Sequence, residues 1–186
     1  MDLVNAKEML EDAHRESYAI GHFNLNNMES IRAFLLGAQE AKSPIILAVS
    51  GGTTKYMGGY QTISHMVTDF MKYLRITVPV ALHVDHGTYE EVIQAIDQGF
   101  SSVMFDGSSL PIEENLRKTT EVLRRARERG ISVEAEVGGI GGEEDGRIAM
   151  GERANPQQCH LMANIGIDCL AAGIGNIHGK YPADWG

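Results

Sequence analysis

The sequence predicts an α/β protein built on a parallel sheet, and three observations carry that reading. Short strand-like runs alternate with helix-period segments six times along the chain. Many of the 21 glycines fall just after apolar runs, where tight turns out of a strand belong. Polar side chains collect at the C-terminal ends of those runs, the edge at which parallel α/β proteins do chemistry. Strands of only ~4–7 residues joined by helices mean crossover connections, hence parallel pairing with helices outside. An open doubly wound sheet and a βα barrel both satisfy this pattern.

Asn5 with Glu8 three residues on resembles a capping box, and Met9, Leu10 and Ala13 follow at helical spacing. Residues 18–23 read as a first strand. Met28, Ile31, Leu35 and Ala38 mark the apolar stripe of a helix. Residues 44–50 are a buried second strand closed by Gly51 and Gly52. Ile63, Met66, Val67, Phe70 and Leu74 mark another helix, and residues 78–83 a third strand. Thr88 with Glu91 again has capping-box spacing, leading into Val92, Ala95 and Ile96. Residues 101–105 are a fourth strand. Ile112, Leu116, Thr119, Leu123 and Ala126 form a helix ended by Gly130 at C′. Residues 131–137 alternate apolar and acidic as a fifth strand. Asn155-Pro156 starts a helix with proline at its first position, and residues 169–173 are the sixth strand. Residues 138–153, rich in glycine and acid, are the longest loop-like run and read as a mobile lid.

A chain of 186 residues is one domain by length, since ~100–200 residues per domain is usual. Its 43% hydrophobic and 22% charged residues are those of a globular protein, which excludes disordered, collagen-like and disulfide-scaffold classes. A net charge of −9 argues against a nucleic-acid partner. It leaves anionic small molecules open, because a metal or a row of backbone N–H groups binds phosphate locally. The N-terminus lacks the apolar core of a secretory signal, and no stretch approaches ~18 apolar residues, so neither export nor a membrane span is expected. Cys159 and Cys169 lie in periodic segments and read as two buried thiols of a cytoplasmic protein.

The sharpest polar feature is His83-Val-Asp85-His86-Gly87. Residues 83 and 85 share a strand face, and His86 stands where the backbone leaves the sheet. A neutral imidazole there can bind a divalent metal, with the neighbouring carboxylate moving a proton beside it. Hydrogen-bonded histidines with a helix-capping aspartate are the alternative. Glu134 and Glu136 share a face of the fifth strand, where buried carboxylates are costly unless paired, hydrogen-bonded or metal-bound. A wet strand face is the other explanation, with Val133, Ala135 and Val137 packed on helices. Asn24, Ser50, Asp106, Asn176 and His178 complete the set at strand ends. His14, His65 and His160 read as surface or packing residues, while His22 on the first strand stays open. The glycine-rich run at 138–146 is no dinucleotide loop: no helix starts there, and its acids repel a pyrophosphate.

Four motifs together closely resemble the class II, zinc-dependent ketose-bisphosphate aldolases: F-N-L-N at 23–26, V-A-L-H-V-D-H-G at 80–87, V-E-A-E-V-G-G-I-G-G-E-E-D at 133–145 and G-N-I-H-G at 175–179. The resemblance spans the chain in the right order. It implies a (β/α)8 TIM barrel that splits fructose or tagatose 1,6-bisphosphate into two triose phosphates. It implies zinc ligation by His86 and His178, with Glu136 and Asp106 as an alternative or buried metal position. Asp85 becomes the carboxylate that moves the hydroxyl proton during carbon–carbon cleavage. Glu143 and Glu144 become a mobile acidic loop acting at the enediolate carbon. Asn24, Ser50 and Gly179 become substrate or phosphate contacts, and His83 a support behind the ligands. Zn2+ is the expected cofactor, with a monovalent cation near the phosphate site as a second ion. A homodimer or homotetramer is the expected assembly.

The family's third histidine ligand lies in an H-G-G-S/T-G loop after strand seven, and a further phosphate-binding stretch follows strand eight. Neither falls within residues 1–186. The expected domain is therefore a single incomplete barrel over 1–186, its first six βα units present and strands seven and eight absent. A metal-dependent hydrolase on a similar barrel and a catalytically inactive truncated barrel are the competing readings. Residues 1–186 alone are expected to show no measurable aldolase turnover. An assay for triose phosphate, on material shown by mass spectrometry to end at Gly186, checks this.

Overall fold

Every strand of this chain has two faces that must be satisfied differently, and that requirement organises the architecture. In a computed structural model, which describes residues 2–144, 147–181 and 183, the elements follow in order: α1 (Ala6–Glu16), β1 (Gly21–Asn24), α2 (Met28–Ala41), β2 (Ile45–Val49), α3 (Gly51–Tyr56), α4 (Tyr60–Tyr73), β3 (Val80–Gly87), α5 (Tyr89–Asp97), β4 (Ser102–Phe105), α6 (Ile112–Arg127), β5 (Ser132–Val137), β6 (Gly141–Glu144), β7 (Arg147–Ala149), α7 (Pro156–Asn164), β8 (Cys169–Ala172) and β9 (Ile177–His178). Six strands form one parallel sheet in the order β1-β2-β3-β4-β5-β8. Each lies beside its predecessor, so the order never reverses as it does in a doubly wound sheet. The sheet is a curled half-barrel, the arc of a TIM barrel with helices outside.

Alternate residues sort onto the two faces. Ile45, Leu47 and Val49 of β2 and Val80, Leu82 and Val84 of β3 point outward. They join Val103, Phe105 and Val133 in one core with the apolar sides of α2, α4, α5 and α6. Met162 of α7 packs on Ala135 and Val137, so the apolar face foreseen for β5 is against helices. The inner face runs from apolar to charged along the strands. At the N-terminal end, α1 lays Ala6 and Met9 on Ile46 and Ala81. Further along come His83, Ser102 and Ser132, and at the C-terminal end Asp85, Asp106 and Glu136.

Several local expectations are corrected. Gly51 and Gly52 do not simply close β2; they begin the short helix α3, capped by the Ser50 side chain on Thr53 N–H. Strand β3 runs on to Gly87, four residues past its expected end. Asn5 caps α1 through Lys7 N–H at 2.8 Å, one position short of a capping box, because the asparagine side chain reaches the second turn position instead. Thr88 and Glu91 do form the reciprocal box. Gly130 lies one residue beyond C′, since Glu128 is the C-cap of α6. The lid region is not a plain loop: β6 and β7 pair as an antiparallel hairpin, and β6 also pairs with β9 in parallel. Asp145 and Gly146 of that run lie outside the described residues.

Asp168, just before β8, ties the far side of the arc together. Its side chain is 1% exposed. It accepts two hydrogen bonds from Arg127 of α6, both 2.8 Å, and one from Val133 N–H at 2.9 Å, with Lys7 of α1 at 3.4 Å. Burial pushes this carboxyl up, but Arg127, the Val133 amide and Lys7 outweigh it and hold it below the usual carboxylate range. Its stabilising effect is therefore present above the ordinary carboxylate pKa and lost as pH falls through the depressed one. Asp168→Ala in the complete protein is expected to cost about 2–4 kcal/mol of stability at neutral pH, from lost charge-assisted bonds and an amide left unpaired. Denaturant unfolding at pH 7 and pH 3 checks this, with the difference from wild type shrinking at the lower pH.

Candidate functional site

Strict alternation along β3 sends Ala81, His83 and Asp85 inward and would send His86 out among the helices. The backbone prevents this. His86 has φ +48°, a left-handed conformation that side chains other than glycine rarely adopt, and pairing with β4 shifts register between Val84 and Gly87. The kink turns His86 round to the C-terminal edge of the sheet, beside Asp85. Gly87 is required next to it: a Cβ there would lie 2.8 Å from Val84 Cγ1, 2.9 Å from Val92 Cγ2 and 3.2 Å from the Met104 carbonyl.

His86 Nδ1 is 3.0 Å from Asp106 Oδ2 and 3.3 Å from Glu136 Oε2. One potential ligand atom from each of these three residues lies within 4.8 Å of the others. They come from the ends of three neighbouring strands, β3, β4 and β5. Asp106 Oδ1 accepts from Ser108 N–H at 3.0 Å and Ser108 Oγ–H at 2.6 Å. Burial pushes the Asp106 carboxyl up, and the hydrogen bonds with His86 and Ser108 outweigh it, so it sits below the usual range. Glu136 is 2% exposed, and its Oε1 accepts from Ile140 N–H at 3.3 Å. Asn115 of α6 donates to the Glu136 carbonyl at 2.9 Å, fixing the backbone under it. Two carboxylates around one imidazole, one of them fully buried, form a nitrogen and oxygen donor set that fits a divalent cation.

His178 reaches the same place from β9. Its ring stands edge-on to His86, centroids 5.2 Å apart. The ladder from β9 to β6 brings the backbones so close that a Cβ on Gly142, whose φ is +93°, would strike the His178 backbone. Asp85 Oδ1 lies 4.0 Å from His86 Nε2, and Asp85 Oδ2 accepts from Asn24 Nδ2 at 3.4 Å. Behind this rim His83 is buried, its Nδ1 2.7 Å from Ser102 Oγ and its Nε2 3.7 Å from Glu134. Burial, then the neighbouring His22 and His86, push His83 down to about 3, so it is neutral at working pH. Burial, and then the charge of Asp85, push the Glu134 carboxyl up.

A cavity of about 430 Å³ opens over these groups, lined by Ser50, Lys55, Asp85, His86, Glu136 and His178 among others. The structure thus gathers Asp85, His86, Asp106, Glu136, His178 and Ser50. Asn24 is turned to Asp85. Glu143 is exposed on β6, and Gly179 follows β9 with φ +85°. Glu144 has its backbone in β6, and its side chain lies outside the described residues. Sequence reasoning missed Ser108, although Asp-x-Ser is the spacing of an Asx turn. It also missed Lys55, and the Ile140 amide, which carries no side-chain signal. His14, His65 and His160 are exposed, as expected, and both cysteines are free thiols.

The family model of class-II fructose-bisphosphate aldolase matches residues 4–185. The chain belongs to this family. It is 53% identical over 183 residues to a fructose-bisphosphate aldolase of Ureaplasma parvum, covering 98% of this chain and 63% of that protein. A fructose-bisphosphate aldolase of Streptococcus pyogenes is 50% identical over 185 residues, covering 100% of this chain and 63% of that one. The crystal structure of a protein assigned as a fructose-1,6-biphosphate aldolase from Coccidioides immitis superposes with a TM-score of 0.86 at 31% identity, over 97% of this chain and 64% of that one. This chain therefore spans a little under two thirds of the length of these relatives. Class II aldolases are metal-dependent, and His86, Asp106 and Glu136 form a group able to hold a metal. Among the described residues no helix is long and apolar enough to cross a membrane.

His86→Ala and His178→Ala, made separately in the complete protein, are each expected to lose stoichiometric divalent metal. Elemental analysis of the purified variants reads this, and full metal retention in both contradicts it.

Proposed function

We propose that the complete protein is a zinc-dependent fructose-bisphosphate aldolase, cleaving fructose 1,6-bisphosphate reversibly to dihydroxyacetone phosphate and glyceraldehyde 3-phosphate. The observation that carries the proposal is the placement of Asp85 beside His86 at the mouth of a cavity that also holds Asp106, Glu136 and His178. The names of the relatives support the same substrate. His86 and His178 would hold Zn2+, with Glu136 and Asp106 offering an inner position. When bound, that ion supplies Lewis-acid withdrawal of charge from substrate oxygens, so no Schiff-base lysine is needed.

The chain's own residues do the rest. Asp85 takes the substrate's hydroxyl proton as the carbon–carbon bond breaks and returns it in the condensation. The neutral His83 beneath adds no competing charge. Glu143 and Glu144, carried on the β6–β7 hairpin, protonate the enediolate carbon. Ser50, Gly179 and Asn24 hold the phosphorylated substrate. Residues 1–186 form part of a single barrel domain in this reading. A homodimer or homotetramer, a monovalent cation near the phosphate and cytoplasmic residence belong to it as well.

Asp85→Ala in the complete protein is expected to keep its zinc and bind substrate while kcat falls about 10²–10⁴-fold. A triose-phosphate assay with fructose and tagatose bisphosphates as separate substrates reads this. Release of inorganic phosphate without triose phosphate would instead indicate a hydrolase.

A further inference from the structure

His22 stands on the inner face of β1, two residues before Asn24, and the reading above gives it no task. Its Nε2 lies 4.0 Å from Asp85 Oδ2, the oxygen that accepts from Asn24 Nδ2 at 3.4 Å. Two side chains of one strand face thus converge on a single carboxylate oxygen. The other oxygen, Oδ1, looks towards His86 Nε2 at 4.0 Å. The His22 ring also rests edge-on against His83, centroids 5.5 Å apart and planes 86° from parallel. Strand β2 lies between β1 and β3, its Ile46 in register with His22 and its Ala48 in register with His83.

A carboxylate turns readily about its last bond, whose torsional wells are broad and two-fold. A base held from one side only therefore presents either oxygen to the substrate. On the other side of Asp85 is Glu134, whose charge repels it. His83 is buried and neutral and offers Asp85 no counter-charge. Asn24 and His22 are the groups placed to draw one oxygen towards β1.

We infer that His22 is a positioning residue for the catalytic base: with Asn24 it holds Oδ2 of Asp85, so that Oδ1 is the oxygen presented to the substrate. This rests on the aldolase reading of the site. At 4.0 Å the contact is longer than a hydrogen bond, and what the imidazole supplies is orientation, through the dipole it turns towards the carboxylate. Misplacement of a reacting group by about 1 Å costs up to ~10²-fold in rate.

The test uses the complete, zinc-loaded enzyme. His22→Ala is expected to lower kcat about 10–30-fold, to leave KM within about threefold and to leave zinc content unchanged. His22→Gln, which keeps an N–H donor, should recover most of the loss, and His22→Met, of similar volume without a donor, should not. That second pair carries the comparison should the alanine variant fail to fold. In an Asp85→Asn background His22→Ala should cost nothing further, because its effect passes through Asp85. An unchanged kcat in His22→Ala and His22→Met overturns the inference. So does a loss that persists in the Asp85→Asn background, or one that tracks loss of zinc. A wild-type enzyme that does not cleave fructose bisphosphate overturns the aldolase reading and this inference with it, whereas cleavage with indifferent His22 variants overturns this inference alone.

Discussion

Two carboxylates gathered against one imidazole is the arrangement on which the rest of this molecule turns. Asp106 and Glu136 both approach His86 Nδ1, and Glu136 is sealed from water. Such a concentration of charge persists only where every neighbour is committed to it. Ser108 gives two donors to Asp106, the Ile140 amide closes on Glu136, and Asn115 pins the backbone beneath. The left-handed turn at His86 belongs to the same economy, since a relaxed backbone would aim the ring away from both acids.

The graded inner face explains how a sheet interior tolerates this. At one end α1 seals the arc with Ala6 and Met9 on Ile46 and Ala81, an apolar floor. A layer with His83 on Ser102 follows, with Glu134 against it, and above it stand Asp85, Asp106 and Glu136. Each step toward the C-terminal edge exchanges hydrocarbon for hydrogen bonds, and then hydrogen bonds for charge. Asp85, Asp106 and Glu136 therefore border the open cavity, which keeps the cost of their desolvation within what local donors offset.

Much of this was legible beforehand, because period-2 and period-3.6 patterns are local. The six strands of the main sheet, the Thr88 cap and the shared face of Glu134 and Glu136 follow from spacing alone. Asp106, Glu136 and His178 could be assigned to strand ends, though only the resemblance to a family joined them into one set. What escaped was non-local or confined to the backbone. Gly51 and Gly52 read as a turn because glycine weakens a helix, yet Ser50 ahead of them was a cap in plain view. The left-handed His86 had no signal in residue type. The hairpin at β6 and β7 was hidden because its partner, β9, lies more than thirty residues further on. His22 was left open because its meaning depends on a neighbour two strands away.

The parallel pairing of Gly141 and Gly142 with Ile177 and His178 has a mechanical consequence. The ribbon that bears Glu143 and the segment that bears His178 are laced together by backbone, so neither travels far without the other. A swing of the hairpin either unzips that short seam or pulls on the imidazole beyond it. The arm and the anchor thus share one hinge plate, and the two-residue seam is the joint through which strain on either would reach the other.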